Sequence, residues 1–334
     1  MSVLTPRFDQ FRALLSGRRK VVVTCHEKAD GDAVGAVAAL RRHLELEGHE
    51  VLALLLEPIS ARYDFLEFAR RHEVWNPARH AEAVAGADIF VMCDLSVPAR
   101  LGPLAAALAG TRAATVCIDH HPCEDDGPAG INLLDPRATA SGRIVWDYVR
   151  HVGGRVDREI AESVFVSVST DTGWFRYQNT DASVMQLAAE LAGHGLDLPA
   201  IHRAIYQSHD APMLRLLGHV ARTMNEECGG RFVWAVIRDE FVRELGVRRL
   251  DTDPILDVLR SGEKVRVVAL FTQQPDGRVS VSLRSRGRPD VNRIARLQGG
   301  GGHAFAAGAM LEAAKAERDT SALVGAVRRA LQDD

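Results

Sequence analysis

Short apolar runs, Val21 to Val23, Val51 to Leu56, Ile89 to Met92 and Thr115 to Ile118, alternate along the first part of the chain with amphipathic segments such as Ala33 to Glu47 and Pro98 to Leu108. A helix following each strand must carry the chain back before the next strand begins, so the pattern specifies an open α/β fold with a mostly parallel sheet flanked by helices. In such sheets ligands lie beyond the carboxyl ends of the strands. The runs end in ligand-bearing residues at that edge: Val21 to Thr24 leads into Cys25-His26, Ile89 to Met92 into Cys93-Asp94, and Thr115 to Ile118 into Asp119-His120-His121-Pro122. The apolar segment Val164 to Thr170 runs in the same way into Asp171.

Helical patterns follow at Ser141 to His151, Arg158 to Ser169 and Asp181 to Gly193, with Asp181 placed to cap the last. A break at Gly193-His194-Gly195 suggests a first domain over 1–193 and a connecting helical linker over 194–217, built on the amphipathic stretch Leu198 to Leu217. A smaller α+β domain then occupies 218–334. There Cys228-Gly229-Gly230 and Pro275-Asp276-Gly277 read as hairpin turns, and Thr252 to Leu259 and Ala313 to Leu331 as helices.

With 46% hydrophobic and 25% charged residues, the 334-residue chain is neither disordered nor fibrous. Its longest apolar stretch, Val51 to Leu56, is far short of the roughly 20 residues of a membrane span. Met1 to Lys20 has no signal-peptide core, and the expected location is cytoplasmic. The five cysteines show no C-x-x-C pair and read as buried hydrophobes in a reducing compartment. Cut after Arg215, the chain carries 22 basic and 28 acidic residues before the cut, and 19 and 16 after it. The acidic part suits a cation site, the mildly basic part an anionic ligand.

In His26-Glu27-Lys28-Ala29-Asp30-Gly31-Asp32, a strand end passes through a turn into a helix. Asp32 fits an N-cap, but capping explains neither Asp30 nor His26. Two carboxylates and an imidazole held together need a cation to neutralise them. Asp94, His120 and Asp171, with Asp119 and His121 beside them, exceed the needs of one ion. Mixed oxygen and nitrogen donors without thiolate favour Mn²⁺, Mg²⁺ or Fe²⁺ over structural zinc, with Mn²⁺ the expected ion, and the surplus favours a pair of divalent ions. That pair suits phosphoester hydrolysis.

The segments CHEKADGDAVGA (Cys25 to Ala36), MCDLS (Met92 to Ser96), DHHP (Asp119 to Pro122) and STDTGWFRY (Ser169 to Tyr177), followed by GGGGHAFAAGAML (Gly299 to Leu311), resemble the DHH/DHHA1 phosphoesterases, and among them the enzymes that act on nanoRNA and on 3'-phosphoadenosine 5'-phosphate (pAp). The resemblance implies that His26, Asp30 and Asp94 hold one metal, and that Asp32, Asp94, His120 and Asp171 hold the other. It implies that His121 faces the scissile phosphate or helps protonate the leaving oxygen, and that Asp119 orients the histidines. Lys28-Ala29 departs from the family, many members of which carry a proline before the position of Asp30; neither residue is a ligand.

Between Arg278 and Arg296 lie six arginines and one acid, Asp290. Arg284 and Arg286 end a predicted strand, where a guanidinium can take phosphate bidentately. The glycines ending in Gly301 and Gly302, followed by His303, let backbone approach an anion. The resemblance implies that Arg284 and His303, with Arg286 as a further candidate, meet substrate across a cleft between the domains. The expected substrates are short single-stranded RNA and small nucleotides such as pApA and pAp, and the expected assembly is a homodimer. A cyclic di-AMP phosphodiesterase is the enzymatic alternative, and a non-catalytic nucleotide-binding regulator or RNA-binding module the alternative of another class. Neither a G-x-S-x-G elbow nor a Walker A loop occurs.

Overall fold

The computed structural model describes residues 4–123, 126–248 and 250–332. The chain divides between Gln207 and Ser208 into two compact units. The first runs α1 (Thr5–Leu14), β1 (Lys20–Thr24), α2 (Gly31–Leu46), β2 (Glu50–Leu55), β3 (Glu73–Val74), α3 (Pro77–Ala85), β4 (Ile89–Cys93), α4 (Leu104–Ala109), β5 (Ala114–Asp119), β6 (Ile131–Leu134), α5 (Ser141–His151), α6 (Arg158–Asp171), α7 (Ala182–Ala192) and α8 (Leu198–Tyr206).

Six strands pair in the order β3-β2-β1-β4-β5-β6, every pair parallel. The two-residue period of a strand sends Val21 and Val23 into a core shared with α2, α5 and α6, and sends Val22 to the opposite face with Phe90, Met92 and residues of α3 and α4. Helices therefore cover both faces, as the alternation requires. The strand order reverses between β1 and β4, which opens a crevice at their carboxyl ends. Within the helical layer on the Val21 and Val23 face, α2 packs directly on α6: a Cβ at Gly35 would lie 2.4 Å from the Ser163 carbonyl oxygen, so only glycine permits the approach.

The helical pattern at Arg158 to Ser169 is α6, so Asp171 reaches the site from a helix end and not from a strand end like Asp94 and Asp119. Two details depart from the sequence pattern. Pro98 to Leu108 is split into a 3₁₀ turn (Pro98–Leu101) and α4, because Gly102 takes φ +49° and Pro103 follows it. Leu198 to Leu217 contains two helices: α8 ends at Tyr206, and Asp210 caps a new helix, accepting from the Met213 amide at 3.0 Å.

The second unit comprises α9 (Ala211–Thr223), β7 (Asn225–Glu227), β8 (Phe232–Ile237), α10 (Asp239–Glu244), α11 (Asp253–Arg260), β9 (Val267–Gln273), β10 (Val279–Ser285), α12 (Val291–Arg296), β11 (Gly301–His303), β12 (Ala306–Leu311) and α13 (Ala316–Gln332). Its sheet has the order β11-β12-β10-β9-β8-β7, antiparallel except between β8 and β9. One face packs on α9 and α11, the other on α12 and α13. Among the described residues no helix is long and apolar enough to cross a membrane.

Candidate active site

The loop after β1 carries two carboxylates with different duties. Asp30 is the N-cap of α2, its Oδ1 accepting from the Ala33 amide at 3.1 Å, and it is exposed. Asp32, the expected cap, instead sits in the first turn and is buried. It accepts from the Ser141 amide (2.8 Å), the Gly142 amide (3.1 Å) and the Ser167 hydroxyl. A side chain at Gly142 would collide with Ser167 Oγ, at 2.1 Å from its Cβ, so α5 can reach Asp32 only with glycine there.

Asp94 follows β4 with φ +55°, a left-handed conformation uncommon outside glycine, and its amide donates to the Ile118 carbonyl at 2.8 Å. The turn aims a carboxylate that is 2% exposed at several donors. Ser141 Oγ donates to Oδ1 at 3.0 Å, His26 Nε2 lies 3.2 Å from Oδ2, and His121 Nδ1 lies 3.3 Å from Oδ1. His26 is oriented from its other nitrogen, Nδ1, 2.6 Å from the Glu27 carbonyl.

At the end of β5, buried Asp119 accepts from both the amide (3.0 Å) and Nδ1 (2.8 Å) of His121. His120 turns the other way. Its Nδ1 lies 3.2 Å from the Ala138 carbonyl, and its Nε2 lies 3.4 Å from Asp32, 3.9 Å from Asp94 and 4.0 Å from Asp171. Asp171 is braced by Asn179, whose Nδ2 donates to its carboxylate at 3.3 Å.

Crowding sets the ionisation of these groups. Burial, then the charge of Asp94, holds the Asp32 carboxyl well above the ordinary carboxylate range. Burial also pushes Asp94 upward, but hydrogen bonds from His121 and His26 outweigh it and bring its pKa well below the ordinary value. Asp171 is raised to about 6, by burial against the attraction of His120. Burial opposes protonation of His121, yet its hydrogen bonds to Asp119 and Asp94 lift its pKa well above the usual value.

The residues fit divalent cations. Ligand atoms of His26, Asp30 and Asp94 lie within 4.8 Å of one another, and Asp94 is also within 4.0 Å of His120, the histidine that reaches Asp32 and Asp171. Two carboxylate-rich groupings thus share Asp94, and the raised Asp32 carboxyl shows what the cluster costs without positive charge. Cys25 adds no thiolate, because burial and then Asp94 push its thiol well up. Ser141, Gly142 and Ser167 were not anticipated from the sequence. Ser163 and Ser167, four apart among the apolar residues Val164, Phe165, Val166 and Val168, were the available signal of a polar stripe on α6.

The aromatics after Asp171 serve packing: Trp174 stands edge-on to Phe165 at 5.6 Å and to His202 at 4.9 Å. His194 and His219 pack against Trp146 and Phe241.

In the second unit, Arg284 pairs across the ladder with Ala306, and Ala306 with His303. Directly opposed residues share a face, so Arg284 and His303 flank the small Ala306 methyl two strand spacings, about 10 Å, apart. Arg284 is steadied by the Leu283 carbonyl (3.1 Å) and by exposed Asp253 (3.6 Å). Arg286 lies elsewhere, donating to the Arg260 carbonyl at the end of α11 at 2.9 Å. Gly301 and Gly302 lie in β11 and pair with Gly308 and Ala307, so their close backbone approach is to β12.

Residues 20–168 match the model of the DHH family N-terminal domain, and residues 232–332 that of the DHHA1 domain. The chain is 30% identical over 311 residues to a Thermus thermophilus protein named bifunctional oligoribonuclease and PAP phosphatase NrnA, covering 93% of this chain and 90% of that one. A crystal structure of an exopolyphosphatase-related protein from Bacteroides fragilis superposes with a TM-score of 0.90 at 20% identity, over 99% of this chain and 100% of that one. RecJ from Thermus thermophilus in complex with Mn²⁺ shares the fold at a TM-score of 0.58 and 15% identity, over 98% of this chain and 55% of that one.

Proposed function

From the premise that this chain belongs to the DHH family and carries its DHHA1 domain, we propose that it is a metal-dependent phosphoesterase that hydrolyses short oligoribonucleotides to mononucleotides and pAp to AMP. The single observation that carries the reading is Asp94, buried between two groupings of oxygen and nitrogen donors and shared by both. His26, Asp30 and Asp94 would hold one ion, and Asp32, Asp94, His120 and Asp171 a second, with Mn²⁺ the expected metal. Bound there, divalent ions lower the pKa of water and neutralise charge on phosphate oxygens.

The protein's own side chains divide the remaining work. Asp119 holds the Nδ1 edge of His121 and favours the protonated ring, which would offer a proton from Nε2 to the leaving oxygen. Ser141, Gly142 and Ser167 lock both oxygens of Asp32, which preserves its geometry when charge in the site changes. In the second unit Arg284 and His303 would grip a substrate phosphate, with Gly302, where a Cβ would lie 2.5 Å from the Ala306 carbonyl oxygen, giving the edge strand its clearance. Arg286, engaged at the end of α11, would add charge and no direct contact.

The test is a substrate panel in Mn²⁺: dinucleotides to five-mers, pAp and cyclic di-AMP. Turnover of pApA and pAp ahead of cyclic di-AMP is expected. Preference for cyclic di-AMP would replace this reading with the cyclic dinucleotide one, and binding without product would favour a regulator. A homodimer accompanies the proposal, and light scattering tests it.

A further inference from the structure

Phe305 is the large aromatic of the second unit that no core uses. The register that pairs His303 with Ala306 makes Ala304 and Phe305 the two-residue turn joining β11 to β12. Three hydrogen bonds fix that turn. The Ser285 amide donates to the Phe305 carbonyl at 2.8 Å, the Val291 amide donates to the Ala304 carbonyl at 2.9 Å, and the Ser285 hydroxyl donates to the same oxygen at 3.3 Å.

The ring, by contrast, is left open. Phe305 is 44% exposed and belongs to neither apolar cluster of the second sheet, and its chain neighbours Ala304, Ala306 and Ala307 are too small to cover it. A flexible loop could expose an aromatic by accident, but here the backbone is held from both β10 and α12 while the residue stays 44% exposed. The ring also sits beside the anion-binding pair. His303 lies two residues before it, and Arg284 stands opposite the very next residue. A residue step along a strand is about 3.3 Å, so the Phe305 backbone lies within the span of one nucleotide from a phosphate over Ala306, at the turn where the two-face alternation of the strands ends.

We propose that Phe305 is the platform on which the nucleobase of the bound nucleotide stacks, its phosphate lying between Arg284 and His303. The assignment rests on the function proposed above. Every base offers a π-face, so the platform would accept purines and pyrimidines alike and would distinguish nucleotides from simple sugar phosphates. It would make recognition depend on having a base and not on sequence, which suits an enzyme for residual RNA fragments of any composition.

The test is calorimetric binding of AMP and of ribose 5-phosphate to the full chain in Mn²⁺, for the native protein and for Phe305→Ala and Phe305→Trp. The native protein is expected to bind AMP about tenfold or more tightly than ribose 5-phosphate. Phe305→Ala should lose most of that advantage by weakening AMP alone, and Phe305→Trp should keep it. Equal affinities in the native protein, an unchanged AMP affinity in Phe305→Ala, or an equal loss for both ligands would overturn the platform. Turnover of pApA is read in parallel. Base-dependent binding without turnover would sink the hydrolase reading and leave Phe305 in its role.

Discussion

His26 Nε2 and Asp94 Oδ2 lie 3.2 Å apart although 68 residues separate them, and they meet where the strand order reverses between β1 and β4. Parallel neighbours present their carboxyl ends together, so the contact follows from β1 and β4 being adjacent. It places the most heavily shared carboxylate of the site, 2% exposed, at the ends of those two strands.

Asp94→Asn is therefore expected to abolish Mn²⁺-dependent hydrolysis of pApA, by at least about a hundredfold, while the fold persists. Steady-state rates and circular dichroism of the variant check this. Retained turnover in a folded variant would overturn the shared-carboxylate site.

Ser167→Ala removes one of three donors from a buried carboxylate. Leaving that oxygen short should cost about 1–3 kcal/mol of stability in metal-free protein and weaken Mn²⁺ binding about 10- to 100-fold. Chemical denaturation and metal titration read the two effects. Gly142→Ala, which drives a methyl into Ser167 Oγ, should destabilise by a similar amount, and Ser167→Ala in the same chain should relieve part of it.

Asp171 carries a pKa of about 6 in the fold against an ordinary 3.8. The folded chain thus holds a proton that the unfolded chain has released between those values, so this group favours the metal-free fold at low pH and the benefit is lost as pH rises through about 6. Cations need the ionised form, so Mn²⁺ affinity should fall as pH drops below about 6. Thermal melts from pH 5 to 7 are expected to show a smaller Mn²⁺ stabilisation at pH 5. Asp171→Asn should remove its share of the metal-free pH slope. An unaltered slope would show that Asp171 is ionised throughout.

His121→Asn should lower kcat on pApA while leaving Mn²⁺ binding nearly intact, because Asp119 and Asp94 remain in place. Replacing a positioned proton donor typically costs about 10²–10⁴-fold. An equal loss of metal affinity would instead make His121 a ligand.

Arg284→Ala should raise KM for pAp more than it lowers kcat, since the arginine would hold a phosphate and lies outside the carboxylate cluster. Arg286→Ala should leave KM nearly unchanged, because its guanidinium is spent on the Arg260 carbonyl. Reversal of the two effects would transfer the anion grip to Arg286.

The local pattern of the chain was enough to place β1, β2, β4 and β5, the helices α2, α5 and α6, and the polar residues at the strand mouths, because hydrophobic period and strand-end position are properties of neighbouring residues. Packing decided what each polar residue does there. Asp30 and Asp32 stand two apart beside the same helix start, and nothing local says which one caps it. The choice is made by Ser141, Gly142 and Ser167, which approach Asp32 from 109 to 135 residues away through helices that touch only because glycines let them. Likewise Arg284 and Arg286 look equivalent along the sequence, yet the sheet sets one beside Ala306 and His303 while α11 captures the other. The sequence by itself determined which chemical groups reach the edge of the sheet. The tertiary structure alone decided their partners, because a buried carboxylate or guanidinium takes its role from whatever donors and acceptors distant elements bring within hydrogen-bond reach.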